Sequence, residues 1–204
     1  MYKKLIKRPL DFILSLLGVI LLSPLLIIIA LLIKLDSKGP IIFKQKRIGI
    51  NKSTFMIYKF RTMRTDTPKE MPTHMLNKAD SYITKTGKFL RKTSLDELPQ
   101  LFNILKGQMA IIGPRPALWN QDDLVAERDK YKANDVRPGL TGLAQISGRD
   151  ELPITKKALL DGKYCSMVTF RVDSKCFLGT IVSVFKEDGV IEGGTGAIEE
   201  DDAK

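Results

Sequence analysis

Residues 10–33 read LDFILSLLGVILLSPLLIIIALLI, and this stretch decides how the rest of the chain is arranged. Asp11 is its only charged residue, and no ionisable side chain follows until Lys34. A helix rises about 1.5 Å per residue, so a straight helix of this length would just cross a hydrocarbon core of about 30 Å. The stretch therefore predicts a membrane helix near the start of the chain.

Ser23 and Pro24 lie in the middle of this stretch and argue against a simple crossing. Proline lacks a backbone donor and its ring clashes with the carbonyl of Ile20, and each half would be too short to span a bilayer alone. Lysines and arginines flank both ends, whereas a spanning helix normally has one positive side. We predict a re-entrant helix over residues 1–36, broken at Ser23-Pro24, with the Ser23 hydroxyl meeting a freed carbonyl.

Other interpretations of the stretch stay open, chiefly a kinked helix that crosses the membrane once. A cleaved signal peptide is disfavoured because no small-residue cleavage site follows and because the apolar run is too long. A buried helix of a soluble protein is disfavoured because the stretch is so uniformly apolar.

Size and charge indicate one further domain. Of the 204 residues, those at 37–190 are enough for a cytoplasmic domain at the membrane surface, and residues 191–204 form an acidic tail that we expect to be disordered. The net charge of +10 suits an anionic membrane surface, a phosphate-rich substrate or nucleic acid. Cys165 and Cys176 are separated by ten residues without a CxxC pattern, as expected for reduced cytoplasmic thiols.

The pattern after the apolar stretch predicts an α+β fold: a small, mostly helical domain with a short β-hairpin and amphipathic helices at the membrane interface. Enrichment in β-branched and aromatic residues predicts strands at 41–43 and 54–60, joined through 49–53. Helical spacing of apolar residues predicts helices at 94–106, 120–132 and 172–185. Residues 61–80 and 137–149 are predicted to be loops.

The helix at 94–106 carries the clearest end signals. Ser94 and Glu97 have the spacing of a capping box, and Gly107 would end the helix. Pro99 lies near the beginning, so the helix could start a residue or two later.

The candidate catalytic residues are carboxylates and basic residues. His74 is the only histidine and lies in a predicted loop, which argues against histidine catalysis and a zinc site. Asp96 and Glu97 are the best candidates, alone or with a hard cation such as Mg²⁺. The ordinary interpretation is that acids simply favour the start of a helix.

Three basic segments could converge on these acids: Lys59 at a strand end, Arg115 in the rigid turn 113–116, and Arg137 in the glycine-rich loop. The guanidinium group of arginine can donate two parallel hydrogen bonds to phosphate oxygens, and glycines let backbone N–H groups approach the same oxygens. For each residue, a solvated or charge-neutralising role stays open. Together the segments favour phosphate chemistry at a lipid surface.

Six motifs in fixed order carry a family resemblance over roughly residues 1–187. They are the basic-Pro-Leu-Asp-Phe start, Ser23-Pro24, YKFRTM at 58–63, SLDELPQLFN at 94–103, GPRP at 113–116 and RPGLTG at 137–142. The chain thereby resembles the monotopic phosphoglycosyl transferases of the bacterial sugar transferase family. Its small size is most similar to the members that begin bacterial N-linked glycan assembly from UDP-N,N′-diacetylbacillosamine.

The resemblance implies an enzyme of the inner membrane, with both termini and the active site on the cytoplasmic side. It implies Asp96 as nucleophile, Glu97 as its catalytic partner, and Mg²⁺ held by Glu97 and Asp96. The substrates would be a UDP-sugar donor and undecaprenyl phosphate, with anionic lipid as a further partner. Arg115 would bind substrate phosphate oxygens, and Lys59 would bind a second phosphate or act as a structural partner of the two acids. Arg137 would bind substrate phosphate as part of a loop that holds the nucleotide.

Two other classes of function are possible. A non-catalytic protein could use the basic face to bind anionic lipid or to scaffold partners. A nucleic-acid binder would need basic residues interleaved with exposed aromatic residues, whereas Trp119 and most phenylalanines lie in apolar runs. We therefore expect no nucleic-acid partner.

Overall fold

A computed structural model describes residues 1–67, 79–148 and 152–186 of the chain. His74, Arg149, much of the predicted loop 61–80 and the predicted acidic tail lie outside the described residues.

The apolar stretch forms one long helix, α1 (Lys7–Asp36), preceded by a short π-helix (Tyr2–Ile6). Helical backbone continues through Pro24, so the predicted break at Ser23-Pro24 is absent and the proline removes only one backbone donor from a continuous helix. As predicted, the Ser23 hydroxyl donates to the freed Ile20 carbonyl, at 2.8 Å. The segment Tyr2–Asp36 is long and apolar enough to cross a membrane.

The predicted hairpin is confirmed. Strands β1 (Ile42–Ile48) and β2 (Thr54–Phe60) pair antiparallel, with Gln45 opposite Ile57, and the connection 49–53 lies where it was expected. The first strand extends beyond residue 43 because pairing with β2 continues to Ile48. With the long apolar helix and the mostly helical remainder, the hairpin confirms the α+β class.

The segment 137–149 is more regular than the predicted loop. Within it, β4 (Gly139–Thr141) pairs in parallel with β3 (Ala110–Ile112), and a short helix α5 (Leu143–Ile146) follows. Both strands have three residues, too few to show a periodic pattern in the sequence. The other helices are α2 (Lys85–Lys92), α3 (Gln100–Leu105), α4 (Asp122–Asp129), α6 (Ile154–Ser166) and α7 (Phe170–Lys186).

The prediction of a single helix over 94–106 was wrong at its beginning. Ser94 adopts a left-handed backbone conformation (φ 56°) and makes no side-chain cap, so the predicted capping box is absent. A 3₁₀ turn (Leu95–Glu97) comes first, and α3 begins only at Gln100, directly after Pro99. Proline cannot donate in a helix interior, which explains the later start. Gly107 follows the end of α3 with φ +81°, as the glycine signal predicted.

The domain contacts one face of α1 from the beginning of the helix to its end. Near its beginning, the Ile111 amide donates to Asp11 at 3.2 Å. In the middle, a Cβ on Gly18 would lie 3.4 Å from Leu101, so the helices approach closely there. Near its end, Ile29 and Ile33 join a core cluster with Phe60 and Leu90.

Large apolar side chains remain exposed on several helices. From Phe12 to Leu32 the opposite face of α1 is apolar and exposed, and α2 and α3 each add an exposed phenylalanine, Phe89 and Phe102. On α7, the exposed residues are Phe170, Phe177, Leu178, Ile181 and Val182. Exposed apolar area on this scale is typical of a surface that contacts a membrane or a protein partner.

Candidate active site

The acid pair lies in the 3₁₀ turn that leads into α3. Asp96 is 9% exposed, and the left-handed Ser94 sets the direction of the turn that carries both acids. A non-glycine residue in this conformation is uncommon and is typical of turns and functional sites. The two carboxylates are thus held by a constrained turn instead of a regular helix.

Two of the predicted basic residues contact Glu97. Lys59, near the end of β2, donates to Glu97 Oε1 at 2.7 Å, and Arg115 Nη2 donates to the same oxygen at 2.9 Å. The Lys59 ammonium also lies 3.9 Å from Asp96 Oδ2. The structure therefore brings Asp96, Glu97, Lys59 and Arg115 into one cluster.

The two acids have opposite electrostatic environments. Burial opposes ionisation of Glu97, but Arg115 and Lys59 outweigh it and hold the pKa of that carboxyl well below its ordinary value. Burial raises the pKa of Asp96, the neighbouring Glu97 charge raises it further, and Lys59 offsets only part of the effect. Asp96 is consequently the more basic carboxylate of the pair, and in its ionised form the stronger nucleophile.

The turn that presents Arg115 is supported by the glycine-rich segment. The Gly113 amide donates to the Thr141 carbonyl and the Gly139 amide to the Pro114 carbonyl, both at 2.8 Å. A Cβ on Gly142 would lie 2.1 Å from the Gly113 carbonyl oxygen, so the two backbones leave no room for a side chain. This segment therefore fixes Arg115 in place.

Arg137 itself is not brought to the acids. Its Nε donates to the Gly107 carbonyl at 2.9 Å, just beyond the C-terminal end of α3, whereas the acids precede the N-terminal end. The six residues of α3 span about 9 Å. The structure thus places Arg137 away from the acid pair, and a contact of Arg137 with the nucleotide stays a prediction.

Comparison with known families agrees with the motifs. The family model described as bacterial sugar transferase matches residues 2–187. The chain belongs to the bacterial sugar transferase family.

Relatives in this family differ in length. The chain is 40% identical to the exopolysaccharide production protein PSS of Rhizobium leguminosarum bv. phaseoli, over 87% of this chain and 94% of that protein. It is 40% identical to the undecaprenyl-phosphate glucose phosphotransferase of Komagataeibacter xylinus, over 86% of this chain and 35% of the relative. It is 42% identical to the UDP-glucose:undecaprenyl-phosphate glucose-1-phosphate transferase of Escherichia coli (strain K12), over 71% of this chain and 32% of the relative. The chain thus spans about a third of the latter two relatives.

Sequence reasoning missed Arg47 as a residue of the site. It lies on β1 opposite the buried Phe55, and its Nη1 donates to the Pro116 carbonyl at 3.1 Å, beside Arg115. Burial lowers the pKa of Arg47 to about 10, the Arg115 charge contributes, and Glu97 opposes the shift. Only the strand register could have shown that Arg47 points towards the core.

The carboxylate oxygens of the acid pair are suitable ligands for Mg²⁺ bound together with a substrate. Asp96 and Glu97 provide adjacent carboxylate oxygens, and Mg²⁺ is commonly held by one or two carboxylates, substrate phosphates and water. Within residues 1–67, 79–148 and 152–186, no group of three or more histidine, cysteine, aspartate or glutamate side chains could hold a metal. The pair therefore suits a cation that completes its coordination with phosphate oxygens.

Proposed function

We propose that this protein transfers a sugar 1-phosphate from a UDP-sugar to undecaprenyl phosphate and releases UMP. The observation that carries the proposal is the acid pair, in which a buried, more basic Asp96 lies beside a Glu97 that Lys59 and Arg115 keep ionised. The names of two relatives describe glucose transfer to undecaprenyl phosphate, and family membership extends that chemistry to this chain as a proposal.

In the first step, an Asp96 carboxylate oxygen attacks the β-phosphorus of the donor. The bond between this phosphorus and the oxygen bridging to the α-phosphate breaks, and UMP leaves with that oxygen. The sugar phosphate is then joined to Asp96 as an acyl phosphate. Two anionic substrates would repel each other in one site, and covalent catalysis lets them react in turn.

In the second step, a phosphate oxygen of undecaprenyl phosphate attacks the same phosphorus. The bond to the Asp96 oxygen breaks, which regenerates the carboxylate and gives the polyprenyl-diphosphosugar. No proton transfer is needed in either step when both attacking oxygens are ionised. Phosphoryl transfer depends mainly on positioning and charge stabilisation, which suits a site of cations around one nucleophile.

The basic residues neutralise phosphate charge. Arg115 presents a planar fork that can bind two phosphate oxygens, and Lys59 adds a point charge next to both acids. Mg²⁺ held by Glu97 and Asp96 would, when bound, neutralise charge on the diphosphate. Arg47 holds the Pro116 carbonyl and so positions the turn that carries Arg115.

The contacts of α1 support a re-entrant placement on the cytoplasmic side of the inner membrane. Its first turns and its last turns both contact the same domain, through Asp11 and through Ile33 respectively. A helix crossing the bilayer would carry one of these ends away from the domain. The placement would keep Asp96 near the depth of the acceptor phosphate.

The identity of the sugar in the UDP-sugar donor is a separate question. The resemblance of the motifs leads us to propose UDP-N,N′-diacetylbacillosamine or a related UDP-N-acetyl sugar as donor, and hence the first membrane step of N-glycan assembly. The names of the relatives favour UDP-glucose instead. Both donors belong in one assay.

The test is UMP release by detergent-solubilised protein, measured with each UDP-sugar, Mg²⁺ and undecaprenyl phosphate. We expect release with one class of donor, and a loss of at least about 10³-fold in Asp96→Asn because the nucleophile is removed. With donor alone, intact-mass measurement should show one phosphosugar on Asp96.

Lys132→Gln, at an exposed position away from the acid pair, is the control and should retain full activity. Equal activity of Asp96→Asn and the unaltered protein would refute the assignment, and an adduct on Glu97 would reverse the roles of the two acids. An absence of UMP release with every donor would favour a lipid-binding or scaffolding protein.

A further inference from the structure

Two arginines from distant parts of the chain meet beyond the C-terminal end of α3. Arg8, in the first turn of α1, donates from Nη1 to the Ile104 carbonyl at 2.7 Å and from Nη2 to the Leu105 carbonyl at 3.3 Å. Arg137 donates from Nε to the Gly107 carbonyl at 2.9 Å. Both guanidinium groups lie at Gly107, since a Cβ on this glycine would lie 3.4 Å from Arg8 Nη2 and its carbonyl accepts from Arg137.

This arginine pair, Arg8 and Arg137, carries two positive charges, and Asp11 offsets part of the charge of Arg8 from beyond ion-pair distance. In the part of the chain that the structure describes, no carboxylate lies within ion-pair distance of either arginine. By contrast, the buried Arg128 donates twice to Asp161, at 2.6 and 2.8 Å. The three contacts to backbone carbonyls use only part of the donors, since each guanidinium has five N–H groups.

The arginine pair lies beside the apolar surface of α1. Phe12 follows Arg8 by one helical turn, about 6 Å along the axis, and is 42% exposed. Arg8 also stacks on the Phe12 ring, 6.0 Å from its centre. From Phe12 to Leu32 the exposed side chains of α1 are apolar, so Arg8 lies at the beginning of a continuous apolar surface.

We propose that Arg8 and Arg137 bind the phosphate group of an anionic membrane phospholipid. Two adjacent arginines at headgroup depth, each free of a carboxylate among the described residues, match a phosphodiester in charge and hydrogen-bond donors. The site rests on the membrane placement proposed above. It is separate from the acid pair, because the length of α3 lies between them.

Its position excludes the reacting acceptor. The phosphate of undecaprenyl phosphate must reach the phosphorus attached to Asp96, at the opposite end of α3. A phospholipid bound at the arginine pair would instead fix the beginning of α1 at a constant depth. The site therefore reassigns Arg137 from the nucleotide to a lipid.

The test is a binding titration of the detergent-solubilised full chain with fluorescent phosphatidylglycerol in mixed micelles. We expect Arg137→Gln to weaken binding about 5-fold or more, and Arg137→Lys to weaken it less because the charge is kept. Arg64→Gln removes the same charge at an exposed position elsewhere and should change affinity less than 2-fold. Fluorescent phosphatidylcholine should show no difference between the variants.

Equal effects of Arg137→Gln and Arg64→Gln would overturn the proposal, since only net charge would then matter. Displacement of the probe by undecaprenyl phosphate at far lower mole fractions than by unlabelled phosphatidylglycerol would also overturn it and assign the site to the acceptor. Thermal unfolding of each variant establishes that it is folded. Because binding is measured without a donor sugar, the result does not depend on the transferase reaction.

Discussion

Asp96 and Glu97 are chain neighbours, yet the cations around them act mainly on one of the two. Lys59 and Arg115 both donate to the same oxygen of Glu97, while Asp96 is buried with Lys59 at 3.9 Å. The result is a carboxylate whose ionised form is favoured by two cations beside a more basic carboxylate. Such a separation of pKa values is the usual way in which two carboxyl groups acquire different catalytic roles.

This separation predicts a pH dependence of donor-only UMP release. Asp96 must be ionised to attack, so the rate should fall as the pH falls through its raised pKa. Lys59 favours the ionised form of Asp96. In Lys59→Gln the pKa of Asp96 should therefore rise further, and the acid limb of the profile should move to higher pH.

The pH profile should be measured as initial rates of UMP release at saturating donor. Lys132→Gln, which removes an exposed lysine away from the acids, is the matched control. An acid limb of Lys59→Gln that stays in place or moves to lower pH would show that Lys59 does not act on Asp96.

At the level of elements, α1 tolerates a proline because a neighbouring side chain replaces the lost donor. The Ser23 hydroxyl bonds to the Ile20 carbonyl, the group that the residue-24 amide would otherwise reach. In lipid no water can take this role, so the carbonyl depends on Ser23. The pair Ser23-Pro24 thus acts as one unit.

A double-mutant cycle tests this unit. Ser23→Ala should destabilise the protein by about 1–2 kcal/mol, because it leaves the Ile20 carbonyl unsatisfied. In a Pro24→Ala background the same change should cost much less, because the alanine amide restores the backbone bond. The measurement is the unfolding midpoint in detergent, and additive effects of the two changes would contradict the explanation.

In the whole molecule, both ends of α1 are tied to the domain by polar contacts. At the beginning, Tyr2 and Lys7 contact the Asp173 carboxylate at 2.7 and 2.6 Å, which also accepts from Tyr164. At the end, the buried Arg61 donates to the carbonyls of Ser37 and Lys38 at 2.7 and 2.6 Å. A cation at the C-terminal end of a helix is electrostatically favourable.

These ties predict that both ends of α1 lie on one side of the membrane. Two exposed residues report on the two ends: Lys4 precedes α1, and Lys88 lies on α2, which packs near the end of α1 through Leu90. A cysteine introduced at either position should react with an impermeant maleimide only after the cytoplasmic membrane is opened. The native Cys165 and Cys176 are buried, so the background should be low. Labelling of the Lys4→Cys protein in intact cells would contradict the same-side placement and favour a helix that crosses once.

The sequence by itself determined the features that depend on local composition and spacing. The apolar run predicted α1, and the proline at position 24 with its serine predicted the carbonyl contact that the structure contains. Alternation and turn residues located the hairpin, and ordered motifs indicated the family. Each of these signals lies within a few tens of residues and reflects backbone preference or side-chain polarity.

Only the tertiary structure decided which basic residues reach Asp96 and Glu97. Lys59 and Arg115 contact Glu97 there, and the unpredicted Arg47 binds the Pro116 carbonyl of the turn that carries Arg115. Arg137 binds the Gly107 carbonyl at the other end of α3, where Arg8 also binds. The left-handed Ser94 likewise replaced the expected capping box. Proximity of charges is set by how distant elements pack, and a sequence pattern specifies side-chain types without specifying those long-range distances.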